Sequence, residues 1–196
     1  MSYPVTFEAD YVEQRSRLTA FFRLLLFIPV AIVFYIYAII AGFAVMIAWV
    51  AIVITGRYPA GLYGFVSGYT RFIARATAYV VLLCDPYPPF SGSAEAEYPV
   101  RMEFSGPLEK YSRAKTFFRL IIAIPIMVLR YVMGLLLEIG AIGAWFVIVI
   151  TGKMPRGLFD VMVLANSYTA RSDAYIFLLT ETYPPFQEEP AVAAAA

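Results

Sequence analysis

Four arginines recur as two matched pairs, and they are the side chains of this sequence best suited to binding an anion. Arg23 and Arg119 each follow two phenylalanines at the start of an apolar segment, and Arg75 and Arg171 each begin an R-x-x-A-Y pattern. We interpret Arg23 and Arg119 first as membrane anchors, because an arginine that bounds an apolar segment belongs at the headgroup level. A lipid-headgroup or anionic-ligand site is the alternative. For Arg75 and Arg171, packing is the favoured interpretation and substrate binding the alternative.

Catalytic and metal chemistry have little support in the composition. The sequence contains no histidine, which is the commonest metal ligand and general base, and a single cysteine, Cys84. We interpret Cys84 as a small apolar residue on a helix, matched by Thr180 in the second half of the chain. The sequence therefore predicts no catalytic residue, no cofactor and no metal site, and the protein is expected not to be an enzyme.

Three further residues stand out inside the apolar segments. Trp49 and Trp145 occupy equivalent positions several residues before a turn, and they are expected to be packing or aromatic-belt residues. Glu138 lies near the middle of the second apolar segment, where a carboxylate at the bilayer centre would cost roughly 2.5 kcal/mol or more. It is therefore expected at the tip of a bend or, in a small transporter or channel, on a pathway shared with Arg130.

An internal duplication organises all of these residues. Residues 16–90 return as residues 112–186, shifted by 96 positions without a gap, and about 29 of the 75 paired positions are identical. Each copy holds, in order, an F-F-R-L step, an apolar segment with a proline, a T-G-[RK]-x-P-x-G-L turn and a Y-P-P-F exit. The turn is expected to end one helix at its glycine and to restart the chain at its proline.

The composition is that of a membrane protein. The chain is 61% hydrophobic and 15% charged, whereas roughly 25% of residues are charged in soluble domains. The apolar segments, residues 24–54 and 120–150, are longer than the roughly 20 residues that span a bilayer. A net charge of +1 without a basic tract argues against nucleic acid as a partner, and the polar first ten residues argue against a cleavable signal. The expected partners are the lipid bilayer and other membrane subunits or a second copy.

The charge distribution favours a helical hairpin in each copy over a single crossing. A straight helix of 31 residues would be about 46 Å long against a hydrocarbon core of about 30 Å. One crossing would also place arginines on both sides of the membrane, so the positive-inside rule would give no orientation. Two hairpins of two short spans each place both basic flanks and both termini in the cytoplasm. Two long tilted helices remain the alternative.

The predicted fold is mainly α-helical and integral to the membrane, with the same three parts in each repeat. The repeats, residues 1–90 and 98–186, each have a short N-terminal strand, a hydrophobic hairpin at about 18–56 or 116–152, and an amphipathic interfacial helix at about 62–84 or 158–180. The two strands are expected to pair in a small cap. Residues 91–97 form a linker and residues 187–196 a low-complexity tail.

The combined motifs resemble a duplicated bacterial membrane family known only as a domain of unknown function. The F-F-R-L, T-G-[RK]-x-P-x-G-L and Y-P-P-F pattern carries the resemblance, which covers nearly the whole chain. It implies a multi-pass protein of the bacterial inner membrane, and it carries over no activity and no site residue. The second copy departs in having Arg130 and Glu138 inside its apolar segment, so the two halves are expected to have different faces or partners.

Three classes of function follow from these observations. The leading hypothesis is a non-catalytic membrane component, an accessory, structural or assembly subunit whose helices fill lipid-facing grooves of a larger complex. The second is a membrane-shaping homo-oligomer, in which an apolar hairpin acts as a wedge. The third is a small transporter or channel that uses Glu138 and Arg130 inside its bundle.

Overall fold

The computed structural model describes residues 3–185, and within them the two halves of the chain repeat the same order of elements. The first half contains β1 (Val5–Ala9), α1 (Arg17–Phe21), α2 (Arg23–Thr55) and α3 (Ala60–Val80). The second contains β2 (Val100–Phe104), α4 (Arg113–Phe117), α5 (Arg119–Ile122), α6 (Ile124–Thr151) and α7 (Arg156–Ile176). The fold is mainly helical, as predicted, and the predicted tail at 187–196 lies outside the described residues.

The two strands pair with each other, as the sequence predicted. They run antiparallel, with Phe7 opposite Met102 at the centre of the register. Phe7 and Met102 are both buried, together with Val5 and Val100. Because side chains alternate between the faces of a strand, these residues share one face of the sheet. A pseudo-twofold axis perpendicular to the sheet, between Phe7 and Met102, therefore relates the two strands.

The same axis relates the helices of the two halves. α1 packs on α6, and α4 packs on α2. The backbone N–H of Arg15 donates to the carbonyl of Gly152 at 2.9 Å, and that of Tyr111 donates to the carbonyl of Gly56 at 2.8 Å. The start of α2 thus lies beside the end of α6, and the start of the second apolar segment lies beside the end of α2. The N-terminal segment of each repeat packs on the long apolar helix of the other repeat. α3 and α7 pack on each other at the boundary between the repeats.

The predicted hairpins are wrong, because both apolar segments continue as helices through the predicted bends. α2 runs through Gly42 and α6 runs through Glu138, and both helices are long and apolar enough to cross a membrane. A lone glycine costs only about 1 kcal/mol in a helix interior, which is too little to force a turn. Buried residues also line α2 on both sides of Gly42: Val30, Ala41, Ala44, Ala48 and Ile52. A bend at Gly42 would remove half of that packing.

The T-G-[RK]-x-P-x-G-L turn ends and restarts the helices as predicted. Gly56 and Gly152 follow α2 and α6 with φ of 72° and 73°, in the left-handed region that glycine adopts without steric penalty. Pro59 and Pro155 directly precede α3 and α7. The turn folds α3 back against α2 and α7 back against α6.

The interfacial helices predicted at 62–84 and 158–180 are wrong in character and in extent. α3 and α7 end earlier, at Val80 and Ile176, and they form the centre of the molecule. Phe72 and Phe159 have no exposed surface, and the Asn166 amide donates across the helix pair to the carbonyl of Ala74 at 3.4 Å. Arg75 and Arg171 are buried against the strands and the other repeat, although Arg156 and Asp160 at the start of α7 remain about half exposed.

Candidate functional site

The strongest candidate site is a buried arginine that recurs at the start of each apolar segment. Arg23 and Arg119 are 1% and 2% exposed, so neither side chain reaches the surface as a headgroup anchor would. Each guanidinium stacks on a tyrosine ring about 4 Å away and donates to a carbonyl of the loop that follows the second long helix of its repeat, α3 or α7. These partners are Tyr79 and Cys84 in the first repeat and Tyr175 and Thr180 in the second.

A tight helix end brings those carbonyls to the arginines. Leu82 and Leu178 have φ of 66° and 67°, the left-handed conformation that usually requires glycine. The N–H of Leu83 donates to the carbonyl of Ala78 at 2.9 Å, which closes a Schellman motif and reverses the chain. A leucine in this conformation costs roughly 1–2 kcal/mol. Burial of both leucine side chains offsets that cost.

Cys84 lies in this loop and not on a helix, contrary to the prediction. Its side chain is 1% exposed, and Tyr98 lies within hydrogen-bonding distance of the sulfur, at 3.3 Å. Burial raises the pKa of the thiol to about 11, since the thiolate would be desolvated. The cysteine therefore stays protonated at neutral pH and acts as a packing residue.

The two arginines differ in their acidic partner. Arg23 Nη2 donates to Asp85 Oδ1 at 2.8 Å. Asp85 also accepts from the backbone N–H of Ser16 at 3.0 Å, and the equivalent acid of the second repeat, Glu181, accepts from that of Ser112 at 2.6 Å. Among the described residues, no carboxylate oxygen lies within 4 Å of the Arg119 guanidinium, and its Nε and Nη2 have no hydrogen-bond partner. The first arginine is neutralised inside the protein and the second is not.

A pocket lies beside each arginine, and the two pockets correspond position by position. The first, of about 250 Å³, is lined by Arg23, Val80, Leu82, Ala141, Ile142 and Trp145. The second, of about 350 Å³, is lined by Arg119, Ile176, Leu178, Val45, Met46 and Trp49. Each pocket takes its arginine and its left-handed leucine from one repeat and its tryptophan from the long helix of the other. The walls are apolar, and the guanidinium supplies the charge.

The tryptophans join one repeat to the other. The Trp49 ring stacks on Phe117 at 5.9 Å between centroids, and its Nε1 donates to the carbonyl of Thr116 at 2.9 Å. The Trp145 ring stacks on Phe21 at 6.0 Å. Both residues therefore pack across the boundary between the repeats while one edge of each lines a pocket.

Comparison with protein families identifies the repeated unit. The model of a domain of unknown function, DUF4389, matches residues 17–92 and matches again at residues 113–188. The chain belongs to the DUF4389 family. The double match confirms the duplication and, at this level, the resemblance drawn from the motifs. No curated protein and no solved structure matches the chain.

Arg75 and Arg171 brace the strands at the centre of the paired DUF4389 repeats. Arg75 is 1% exposed, its Nε donates to the carbonyl of Val100 at 3.4 Å, and its guanidinium lies 5.6 Å from the ring of Tyr98. Arg171 is 4% exposed and lies 5.8 Å from the ring of Tyr3. These contacts hold the strand segments against α3 and α7, which agrees with a packing role.

Glu138 lies on the exposed side of α6 at a cleft between the two DUF4389 repeats, where α3 of the first repeat faces α6 and α7 of the second. The cleft, of about 250 Å³, is also lined by Arg130, Asn166 and Asp173. Arg130 Nε donates to Asp173 Oδ1 at 2.6 Å, which gives the charge inside the apolar segment a buried partner from α7. The first repeat has a phenylalanine, Phe34, at the position equivalent to Arg130, so this ion pair has no counterpart there.

Sequence analysis of the DUF4389 repeats did not assign the acids that pair with Arg23 and Arg130. Asp85 and Glu181 occupy equivalent positions after the second long helix of each repeat, and a comparison of the two copies could have found them. Asp173 faces Arg130, but α7 also contains Asp160 and α3 contains no acid, so the sequence could not have singled out Asp173. Within residues 3–185, no group of three His, Cys, Asp or Glu side chains is placed to hold a metal ion.

Proposed function

We propose that this chain is a non-catalytic membrane protein, a structural or accessory subunit whose two long helices are immersed in lipid. The exposure of α2 and α6 carries the proposal. Only 11% and 22% of their most apolar stretches are buried inside the protein, and Leu24 and Ile150 are 77% and 71% exposed. The core helix of a soluble protein is apolar and buried, whereas these helices are apolar and exposed. Acyl chains are the surroundings in which such a surface is stable.

The pseudo-twofold axis limits how the helices can lie in the membrane. The axis exchanges the two ends of the molecule and passes through the sheet, so the sheet lies midway between those ends. If α2 and α6 crossed the bilayer, the sheet would lie at its centre, with the side chains of Glu8, Asp10 and Glu103 40%, 37% and 57% exposed. Arg101 and Arg71 pair with these acids, but the acids remain partly exposed, and a lone charge at the bilayer centre costs roughly 2.5 kcal/mol or more. With the axis along the membrane normal, the sheet stays in water and both helices lie along the surface.

Helix length and end charges support the same placement. At 1.5 Å per residue, α2 and α6 are about 49 and 42 Å long, against a hydrocarbon core of about 30 Å. Basic residues occur at both ends of the molecule: Arg15, Arg17 and Lys153 at one, Arg57, Arg113 and Lys115 at the other. Helices lying in the cytoplasmic leaflet leave both basic ends on the cytoplasmic side.

This placement changes the topology drawn from the sequence while keeping its location. We propose a monotopic protein of the bacterial inner membrane in place of a multi-pass one, with both termini in the cytoplasm. The predicted hairpins and the proposed surface helices satisfy the same charge rule, since both return the chain to the side from which it entered.

The accessory-subunit proposal is tested by purification from the native membrane. The tagged chain is extracted in a mild detergent, sized on a native gel, and its companions are identified by mass spectrometry. One stoichiometric partner is the result expected of an accessory subunit. A clean monomer would count against this function and leave the membrane placement to be tested on its own.

Membrane shaping is a second candidate, favoured by helices that lie in one leaflet. Two apolar helices of this length displace headgroups as a wedge and curve the bilayer. Liposomes loaded with the protein are expected to form tubules or small vesicles, as seen by electron microscopy. Liposomes of unchanged shape at high protein load would remove this candidate.

A further inference from the structure

The pocket beside Arg119 has the features of a ligand site that its twin beside Arg23 lacks. We propose that it binds an anionic acyl lipid, with the carboxylate or phosphate of the headgroup on Arg119 and the acyl chain along the apolar wall. The proposed membrane placement enters only as the source of the lipid.

The free edge of the Arg119 guanidinium matches an oxyanion. Nε and Nη2 form the side-on fork of an arginine, which donates two parallel hydrogen bonds to a carboxylate or phosphate. Both nitrogens are buried and without a hydrogen-bond partner, while Nη1 is occupied by the carbonyl of Thr180 at 3.2 Å. The stacked ring of Tyr175 fixes the plane of the guanidinium. The arginine is thus held in place with its bidentate edge unused.

The first repeat shows what satisfies the same arginine when no ligand is needed. Arg23 has the same ring contact and the same type of carbonyl bond, and its Nε is also without a partner, but its Nη2 donates to Asp85 at 2.8 Å. Asp85 and Glu181 each accept from a backbone N–H, of Ser16 and Ser112, but within residues 3–185 no carboxylate oxygen lies within 4 Å of the Arg119 guanidinium. A buried charge without a counter-ion is costly. An anion from outside the protein would supply what Asp85 supplies in the first repeat.

The rest of the pocket suits an apolar chain. Its volume of about 350 Å³ is larger than the 250 Å³ of its twin, and its walls come from Val45, Met46, Trp49 and Ile176. Pockets that hold one small ligand start at about 300 Å³ and are mainly apolar with a few placed polar groups. Leu120, beside Arg119, is 67% exposed on the apolar surface, so the pocket adjoins the region where we place lipid.

The two tryptophans of the chain make the pockets separately observable. Trp49 lines the Arg119 pocket and Trp145 lines the Arg23 pocket. A Trp145→Phe variant keeps only Trp49 and therefore reports on the Arg119 pocket alone. A Trp49→Phe variant keeps only Trp145 and reports on the Arg23 pocket. The proteins are held in neutral detergent micelles that contain phosphatidylglycerol, phosphatidylcholine or stearate, each brominated in the acyl chain so that it quenches tryptophan fluorescence on contact.

We expect Trp49 to be quenched at about a ten-fold lower mole fraction of brominated phosphatidylglycerol or stearate than of brominated phosphatidylcholine, since hydrogen bonds to a charged group contribute at least about 1.4 kcal/mol. Preference for the phospholipid identifies a phosphate, and preference for stearate identifies a carboxylate. Arg119→Gln is expected to abolish the preference and Arg119→Lys to retain part of it. Equal quenching by all three, or a preference that survives Arg119→Gln, would overturn the proposal.

The twin pocket supplies a matched control and a gain of function. Trp145 is expected to be quenched equally by the three amphiphiles, because Arg23 already forms an ion pair with Asp85. Asp85→Ala removes the side chain that accepts from Arg23 Nη2 and should create the anionic preference at Trp145. Absence of this gain would contradict the role given to the unpaired guanidinium. The lipid preference is measured in micelles, so its absence would not bear on how the protein lies in a bilayer. The membrane placement is tested separately, by the depth of spin labels along α2.

Discussion

Arg23 illustrates how this protein makes a buried charge tolerable. The guanidinium is covered by the Tyr79 ring, bonded to the Cys84 carbonyl and neutralised by Asp85. Asp85 Oδ2 also accepts from the backbone N–H of Ser16 at 3.0 Å, as Glu181 accepts from Ser112. Both acids thus accept a hydrogen bond from the N-cap serine of a short helix, α1 or α4. Asp85 also forms an ion pair with the arginine of its repeat, Arg23.

Removing the acid should therefore have unequal effects in the two repeats. We expect Asp85→Asn to lower the free energy of unfolding by about 2 kcal/mol more than Glu181→Gln does, since a buried charge left unpaired costs 3–5 kcal/mol and the Asp85 side chain is 27% exposed. Denaturant unfolding of both variants in detergent measures the difference. Equal losses would mean that the Arg23–Asp85 pair contributes nothing to stability.

The Cys84 thiol should be inert in the folded protein. Burial disfavours the thiolate and raises its pKa to about 11, so almost no nucleophile is present at pH 7.5. We expect a maleimide to label Cys84 only after unfolding, as followed by mass spectrometry. Ser93→Cys in a Cys84→Ser background is the exposed control and should react at once. Rapid labelling of the folded wild-type chain would contradict the burial of this loop.

At the residue scale the sequence predicted which side chains matter but not their state. The match between the two copies singled out Arg23, Arg119, Arg75 and Arg171, because identical residues at equal spacing are visible without a structure. The difference between Asp85 and Glu181 is one methylene group, and only the geometry separates an ion pair from an unpaired guanidinium.

At the scale of the helices, turns signalled by glycine and proline were predictable and the others were not. Gly56 and Pro59 mark the end of α2 and the start of α3 because their backbone preferences are local. Leu82 and Leu178 follow the ends of α3 and α7 without such a signal, so the predicted helices ran too far. The hairpin prediction failed for a different reason. It was based on the positive-inside rule, and a helix that lies along the membrane surface satisfies this rule as well as a hairpin does.

A glycine inside α2 and the glycine that follows it give a matched test of the uninterrupted helix. Gly42→Ala should leave stability unchanged or raise it by up to about 1 kcal/mol, because nothing lies within 4 Å of the added Cβ and alanine is the better helix former. Gly56→Ala should cost about 1–2 kcal/mol, because φ is positive there. Thermal unfolding of both variants measures these changes. A large loss at Gly42 would indicate a bend at that residue.

On the scale of the whole molecule, the repeats depend on each other. Trp49 packs on Phe117 and Trp145 packs on Phe21, so the end of each long helix is covered by the N-terminal segment of the other repeat. Neither half has a complete core alone. This exchange was not predictable, since two similar sequence copies are equally compatible with two repeats folded independently.

Splitting the chain in the linker tests that dependence. We expect residues 1–94 and 95–196, expressed together as separate chains with one of them tagged, to copurify at a ratio of one to one, because the contacts between repeats replace the covalent link. Gel filtration and densitometry measure the ratio. A tagged first repeat that elutes alone as a stable monomer would show that the exchanged contacts are dispensable.

The depth of α2 in the bilayer tests the central claim most directly. Leu25, Ile36 and Ile47 lie 11 residues apart, which returns to nearly the same helix face, and they are 61%, 57% and 54% exposed. Each is replaced by a spin-labelled cysteine in a Cys84→Ser background, and oxygen and nickel-chelate collisions measure its depth in vesicles. The proposed surface placement predicts three similar depths within one leaflet. A helix that crosses the bilayer would place Ile36 near the centre and the other two labels about 16 Å nearer to opposite surfaces, which would contradict the account.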